Sequence, residues 1–196
     1  MNSAPTSLPT TYFDDLYARN IDPWGFETRD YEHNKYAATL AALPQPHYGA
    51  ALEIGCSIGV LTRQLAARCD RLLALDAAAA PLELARARTA DQPGVEIREA
   101  RVPEQWPEGE SFDLILISEV LYFFGGDDLG RVANCVDRSL RPGGDVVLVH
   151  WLAQTDFPLT GDEAVEGFLA ASRNGLTRTG GSRNEFYRLD VLRRIG

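Results

Sequence analysis

The stretch Leu52-Glu53-Ile54-Gly55-Cys56-Ser57-Ile58-Gly59 links a short apolar run to a helical pattern. Its small residues let a ligand approach the backbone, and the helix that follows offers unpaired N–H groups to an electron-rich group. A dinucleotide fingerprint needs glycine at the middle place of G-x-G-x-x-G, beneath a pyrophosphate. Ser57 occupies that place here, and residue 60 is valine. Neither Gly55 nor Gly59 precedes a lysine, so a P-loop is excluded as well. A ligand with an amino-acid end and a nucleoside end suits the residues better. Glu53 can orient an ammonium group, directly or through water. Asp76, ending the next apolar run, can accept hydrogen bonds from both ribose hydroxyls, with Ala77 beside it. S-adenosylmethionine combines these groups. Its expected contacts are Glu53, Gly55, Cys56, Ser57, Gly59, Asp76 and Ala77, with Cys56 read as a small residue rather than a nucleophile.

Methyl transfer from a sulfonium asks a protein to position the nucleophile and exclude water. A protonated amine must also lose its proton first. Ser118-Glu119 ends another apolar run, followed by Tyr122. Ser118 is expected at the cofactor. Glu119 either binds an ammonium group and accepts its proton or bonds loop N–H groups and caps the next helix. Tyr122 either orients the acceptor or packs as an ordinary aromatic. His150 is a candidate base, its reference pKa being near ~6.5; the alternative is a hydrogen-bonded histidine at a strand end. Trp151, Trp24, Tyr31 and Tyr36 offer flat faces for sugar rings, or else seal a core. His33 and His47 have no partner at ligand spacing, so no metal is expected.

These residues need a sheet to bring them together. Apolar runs at Ala50–Ile54, Leu72–Leu75, Val95–Arg98, Phe112–Ile117 and Asp145–His150 alternate with helical patterns at Val60–Arg68, Pro81–Thr89 and Leu129–Leu140, the last with Asp128 as its cap. Runs apolar on both faces and separated by helices predict an α/β, doubly wound, mostly parallel sheet. Ligands of such sheets sit at the carboxyl ends of the strands. Asp162–Ala171 reads as a helix. Leu176–Thr179 and Phe186–Leu192 read as strands of a C-terminal antiparallel hairpin turning at Gly180-Gly181-Ser182. Ahead of the sheet, two helices separated by Asp22-Pro23-Trp24-Gly25 carry Tyr12, Phe13, Leu16, Tyr17, Tyr31, Lys35, Tyr36 and Leu40. The division expected is a disordered tail over 1–11, an N-terminal helical lid over 12–46 and a catalytic domain over 47–196.

The chain has 196 residues and a formal charge of −9. That length suits a single domain. The charge argues against nucleic-acid binding, which needs clustered Lys and Arg. Three cysteines without a C-x-x-C pair point to reduced thiols in a cytoplasm. No apolar run is long enough to cross a membrane, and Met1–Thr10 lacks the layout of a signal peptide.

The ordered set Glu53-x-Gly55-x-Ser57-x-Gly59, Asp76, Phe112-Asp113-Leu114-Ile115 and Leu140-Arg141-Pro142-Gly143-Gly144 resembles the class I S-adenosylmethionine-dependent methyltransferases over residues 50–151. That family often places an acid after the third strand to hold the adenine amino group. Here the stretch is Ala100-Arg101-Val102, so a backbone N–H of Arg101 or Val102, and packing by Val102, are the expected adenine contacts. Beyond the core, Asp22-Pro23-Trp24, Tyr31-Glu32…Lys35-Tyr36, Ser118-Glu119-Val120-Leu121-Tyr122 and His150-Trp151 resemble the nodulation protein S group. The resemblance implies N-methylation of a small amine, such as the free amine of a de-N-acetylated chitooligosaccharide; no obligate protein partner is expected. The competing readings are O-methylation of a small metabolite and a non-catalytic adenosyl-ligand sensor.

Overall fold

The computed structural model describes residues 6–173 and 175–195. The N-terminal pattern forms α1 (Thr10–Arg19) and α2 (Asp30–Ala41). Asp22 makes the break between them: its carboxylate accepts the N–H groups of Phe26 and Glu27, and Gly25 takes φ +73°. The alternating core follows as β1 (Tyr48–Ile54), α3 (Val60–Ala66), β2 (Cys69–Asp76), α4 (Leu82–Arg88), β3 (Val95–Glu99) and β4 (Phe112–Ser118). It continues through α5 (Gly126–Ser139), β5 (Leu140–Trp151) and α6 (Gly161–Ala171) to β6 (Leu176–Arg183) and β7 (Tyr187–Arg194).

The seven strands order as β3-β2-β1-β4-β5-β7-β6. Pairs from β3 to β5 are parallel, while β5/β7 and β6/β7 are antiparallel. The chain leaves the β3 edge and resumes at β4 on the other side of β1, with Leu52 opposite Ile115. This reversal opens a crevice at the strands' carboxyl ends. One face of the sheet packs Leu52, Ile115 and Leu148 against α5 and α6. The other packs Ala51, Leu114 and Val147 with Leu61 and Leu65 of α3 and Tyr36 of α2. Asp113 ties this frame together, accepting the Ala50 N–H and pairing with Arg141 at 2.8 Å.

Four expectations change. Asp128 does not cap α5, whose N-cap is Gly125; it accepts a hydrogen bond from Ser7 Oγ instead. Residues 1–5 of the expected tail lie outside the described residues. Ser7 and Leu8 are bound in place, the Leu8 N–H donating to the Phe123 carbonyl at 2.9 Å. Gly180-Gly181-Ser182 lies inside β6, where the register shifts, and the turn falls after Arg183. A Cβ at Gly181 would meet the Leu189 carbonyl of the neighbouring strand, which is why glycine stands there. Lastly, α2, part of the expected lid, packs Tyr36 against one face of the sheet.

Candidate functional site

A cavity of about 660 Å³ opens at the carboxyl ends of β1, β2, β3 and β4, roofed by α1 and flanked by α2. The β1–α3 loop forms its floor. Gly55 takes φ +89° and Ser57 φ +47°. The turn is held by Asp76, whose two carboxylate oxygens accept the N–H groups of Ser57 and Ala78 at 2.9 and 3.0 Å. The side chain of Ser57 faces the other way, its Oγ 2.7 Å from the Tyr17 hydroxyl of α1. A serine at the middle place therefore joins the loop to its roof. Gly55 is required by packing as well as by φ: a Cβ there would sit 2.4 Å from Val120 Cγ2 and 2.9 Å from the Ser118 carbonyl. Gly59 does not line the cavity, contrary to expectation. It is glycine because it caps α3 at φ +78° with Ala85 pressed against it.

The polar groups of this half fit S-adenosylmethionine. Glu53 is buried, and its Oε2 has no hydrogen-bond partner, leaving an acceptor open to an ammonium group. Burial pushes its carboxyl up to about 7. The Thr62 hydroxyl pulls the other way without making a hydrogen bond of regular geometry, and Asp76 raises it again. Asp76, Ala77, Cys56, Ser118 and Val102 all line the cavity. Burial pushes the Cys56 thiol well above its usual range, which leaves it no role as a nucleophile. Arg101 also lines the wall, but its backbone N–H already donates to Gln105 Oε1 at 2.7 Å. It is withdrawn as an adenine contact, leaving Val102.

Asp76→Ala is expected to weaken S-adenosylhomocysteine binding by about 1.5–3 kcal/mol, the range for hydrogen bonds to a charged group. Calorimetry on the folded variant checks this, and unchanged affinity would remove Asp76 from the ligand.

At the opposite end, Glu119 adopts φ +59° just past β4. Its Oε1 accepts from Lys35 Nζ at 2.7 Å, while its Oε2 accepts from the Tyr122 hydroxyl at 2.7 Å and the Trp151 N–H at 2.8 Å. Burial would raise its pKa, but Lys35 and the surrounding donors outweigh it and hold the carboxyl below its ordinary value. Burial by itself would lower the Lys35 pKa, and Glu119 and Glu32 more than compensate. His150 is withdrawn as a base. It is fully buried outside the cavity lining, its Nε2 accepts the Leu121 N–H at 3.1 Å, and burial lowers its pKa to about 4.

Tyr122, Trp24, Tyr31, Tyr36 and Trp151 all line the cavity. Trp24 stacks on Phe26, and Trp151 on Phe186, at centroid distances of 5.3 and 6.0 Å. Among the described residues no cluster of His, Cys, Asp or Glu could hold a metal ion, and no helix is long and apolar enough to cross a membrane.

Sequence reasoning missed Glu32 and Lys35 as site residues. The signal was present: the buried face of α2 reads Glu32, Lys35, Tyr36, Thr39, so two charges occupy core spacing. Tyr17 and Phe13 appeared only as a helical stripe, yet both line the cavity.

The sheet order, the loop after its central strand and the acid ending the next strand define the class I methyltransferase fold. The N-methyltransferase NodS of Bradyrhizobium japonicum WM9, solved with S-adenosyl-L-homocysteine, superposes with a TM-score of 0.83 at 23% identity, covering 94% of this chain and 98% of that one. A candidate methyltransferase from Pseudomonas syringae matches at 39% identity and a TM-score of 0.73, over 85% of this chain and all of the other. The Nodulation protein S (NodS) family matches residues 13–148, and the chain belongs to that family. Nodulation protein S of Rhizobium tropici is 33% identical over 130 residues, which are 64% of this chain and 53% of the relative. The chain spans about half the length of the curated relatives it matches.

Proposed function

We propose that this chain is an S-adenosylmethionine-dependent N-methyltransferase of a small amine, with an amino sugar such as a de-N-acetylated chitooligosaccharide as the acceptor class. The carrying observation is that one cavity has two unlike ends. Glu53 and Asp76 present acceptors for an amino-acid and a ribose group, while Tyr31, Tyr36 and Trp151 line the far side beside the Glu32–Lys35–Glu119 cluster. When bound, the cofactor supplies an electrophilic methyl group. The chain's own residues bind and orient the two reactants and keep water out. Family membership supports the reaction class. Three free cysteines support work in a reducing cytoplasm, and no nucleic-acid partner is proposed. Calorimetry with S-adenosylhomocysteine, followed by a methyl-transfer screen over amino sugars and their oligomers, tests the reading. An N-methyl product supports it, and an O-methyl product or binding without turnover overturns it.

The N-terminal segment divides in this reading. Residues 10–29 form the lid, closing over bound ligand through Tyr17 and Trp24, while α2 is a fixed layer anchored by Tyr36, with Leu43 packed just beyond its end. Lids come from the less stable parts of a fold. Amide protection of residues 10–29 is therefore expected to rise on adding S-adenosylhomocysteine, with that of residues 30–41 unchanged. Equal protection of 10–29 with and without ligand would make α1 a permanent roof.

A further inference from the structure

Where α2 meets the end of β4, two buried carboxylates share one ammonium group. Lys35 Nζ lies 2.7 Å from Glu119 Oε1 and 2.8 Å from Glu32 Oε2. The two acids are not equivalent. Glu119 accepts hydrogen bonds from Lys35, Tyr122 and the Trp151 backbone. Glu32 lies on the cavity wall with only 7% of its side chain exposed, and its ion pair among the described residues is the one with Lys35, at Oε2. The hydroxyl of Tyr31, which lines the same cavity, is buried and unpartnered. Buried polar groups are ordinarily satisfied, so an unmet phenol on the same cavity wall as a carboxylate paired through Lys35 marks a subsite shaped for something polar.

Charge says what kind of group fits. With both acids ionised, Glu32, Glu119 and Lys35 sum to one excess negative charge. Arg29, exposed at the rim, is the other cation acting on Glu32. Tyr31, Tyr36 and Tyr122 are held as neutral phenols, and burial keeps His150 a neutral imidazole. A buried site whose excess negative charge is offset only by a solvent-exposed arginine favours a cation over a neutral hydroxyl. The Tyr31 ring already receives one, with Lys35 Nζ 5.2 Å from its centroid.

We propose that Glu32 is the carboxylate that binds the acceptor's ammonium group and takes up the proton the nitrogen must lose before it can attack. The inference rests on the methyl-transfer reading above. In this step an N–H bond breaks, its electron pair stays on nitrogen, and the proton bonds to a Glu32 carboxylate oxygen. Nothing is oxidised or reduced, and the proton passes to solvent when the product leaves. Burial and the neighbouring Glu119 make Glu32 more basic than an ordinary glutamate despite Lys35, whereas Glu119 is held less basic. Lys35 is then a positioning residue that orients both carboxylates. The expected substrates are primary or secondary amines, charged in solution, and not the matching alcohols.

The test titrates protein saturated with S-adenosylhomocysteine with glucosamine, short glucosamine oligomers, ethanolamine and their N-acetylated counterparts. Wild type is expected to bind an amine and not its acetylated form. Glu32→Gln is expected to lower amine affinity about tenfold or more while S-adenosylhomocysteine affinity stays within about twofold. The acidic limb of the kcat/KM profile is expected to shift or vanish in the same variant. Amine binding by Glu32→Gln equal to wild type overturns the proposal, as does a wild type that binds none of these amines. A wild type that fails to bind S-adenosylhomocysteine overturns the methyltransferase reading instead.

Discussion

Lys35→Met is expected to destabilise the protein by about 3–5 kcal/mol, the cost of leaving buried charge without its partner. The lysine is 2% exposed, and methionine would fill its volume but leave Glu32 and Glu119 facing each other without a cation. For a chain of this size the loss corresponds to a fall in Tm on the order of 10 °C. Adding Glu32→Gln and Glu119→Gln to Lys35→Met removes the orphaned charges and is expected to restore most of the lost stability. Thermal or urea unfolding of the single and triple variants checks both expectations. A single variant as stable as wild type would mean that the cluster is hydrated and the ion pairs weak.

Gly55→Val is expected to abolish detectable S-adenosylhomocysteine binding and to cost about 2–5 kcal/mol of stability, combining strain at positive φ with overpacking. The residues alone suggest a folded protein that has merely lost its ligand. The position of Val120 changes that expectation, since a new Cβ would lie 2.4 Å from its Cγ2. Pairing Gly55→Ala with Val120→Ala separates the two effects. The double variant is expected to regain stability over Gly55→Ala while ligand affinity remains impaired. Normal binding by Gly55→Val would reduce the loop to a turn.

The cofactor half was largely legible because each of its features is local. A glycine loop between a strand and a helix, and an acid ending the next strand, can be read from spacing; the structure puts Glu53, Asp76 and their neighbours on one cavity wall. The other half was legible in part: Glu119, Tyr122, Trp24, Tyr31, Tyr36 and Trp151, singled out by type and position, line the cavity, but the partners of Glu119 depend on contacts between distant segments. Lys35 reads as part of a helical stripe and Glu32 as its neighbour, and their pairing with Glu119 emerges only once α2 is packed on the sheet. His150 failed for a related reason. A histidine at the end of a strand looks available, but β5 runs one residue further and pairs with β7, and the turn Leu121–Phe123 covers the ring. The C-terminal turn was misplaced because a Gly-Gly-Ser run is a turn signal locally and here serves close strand packing.

The bonds that hold the N-terminal segment also set an order of assembly. Ser7 pairs with a residue 121 positions downstream, Tyr17 with one 40 away and Lys35 with one 84 away. Contacts this distant in sequence form only after their loops have closed. Tyr17 can meet Ser57 once β1 and its loop are made, Lys35 must wait for the end of β4, and Ser7 must wait for the start of α5. The N-terminal segment is thus secured only after the strands it covers. Until then the aromatics of residues 12–36 stay uncovered, and the strands that form the floor of the cavity come together before it has a roof.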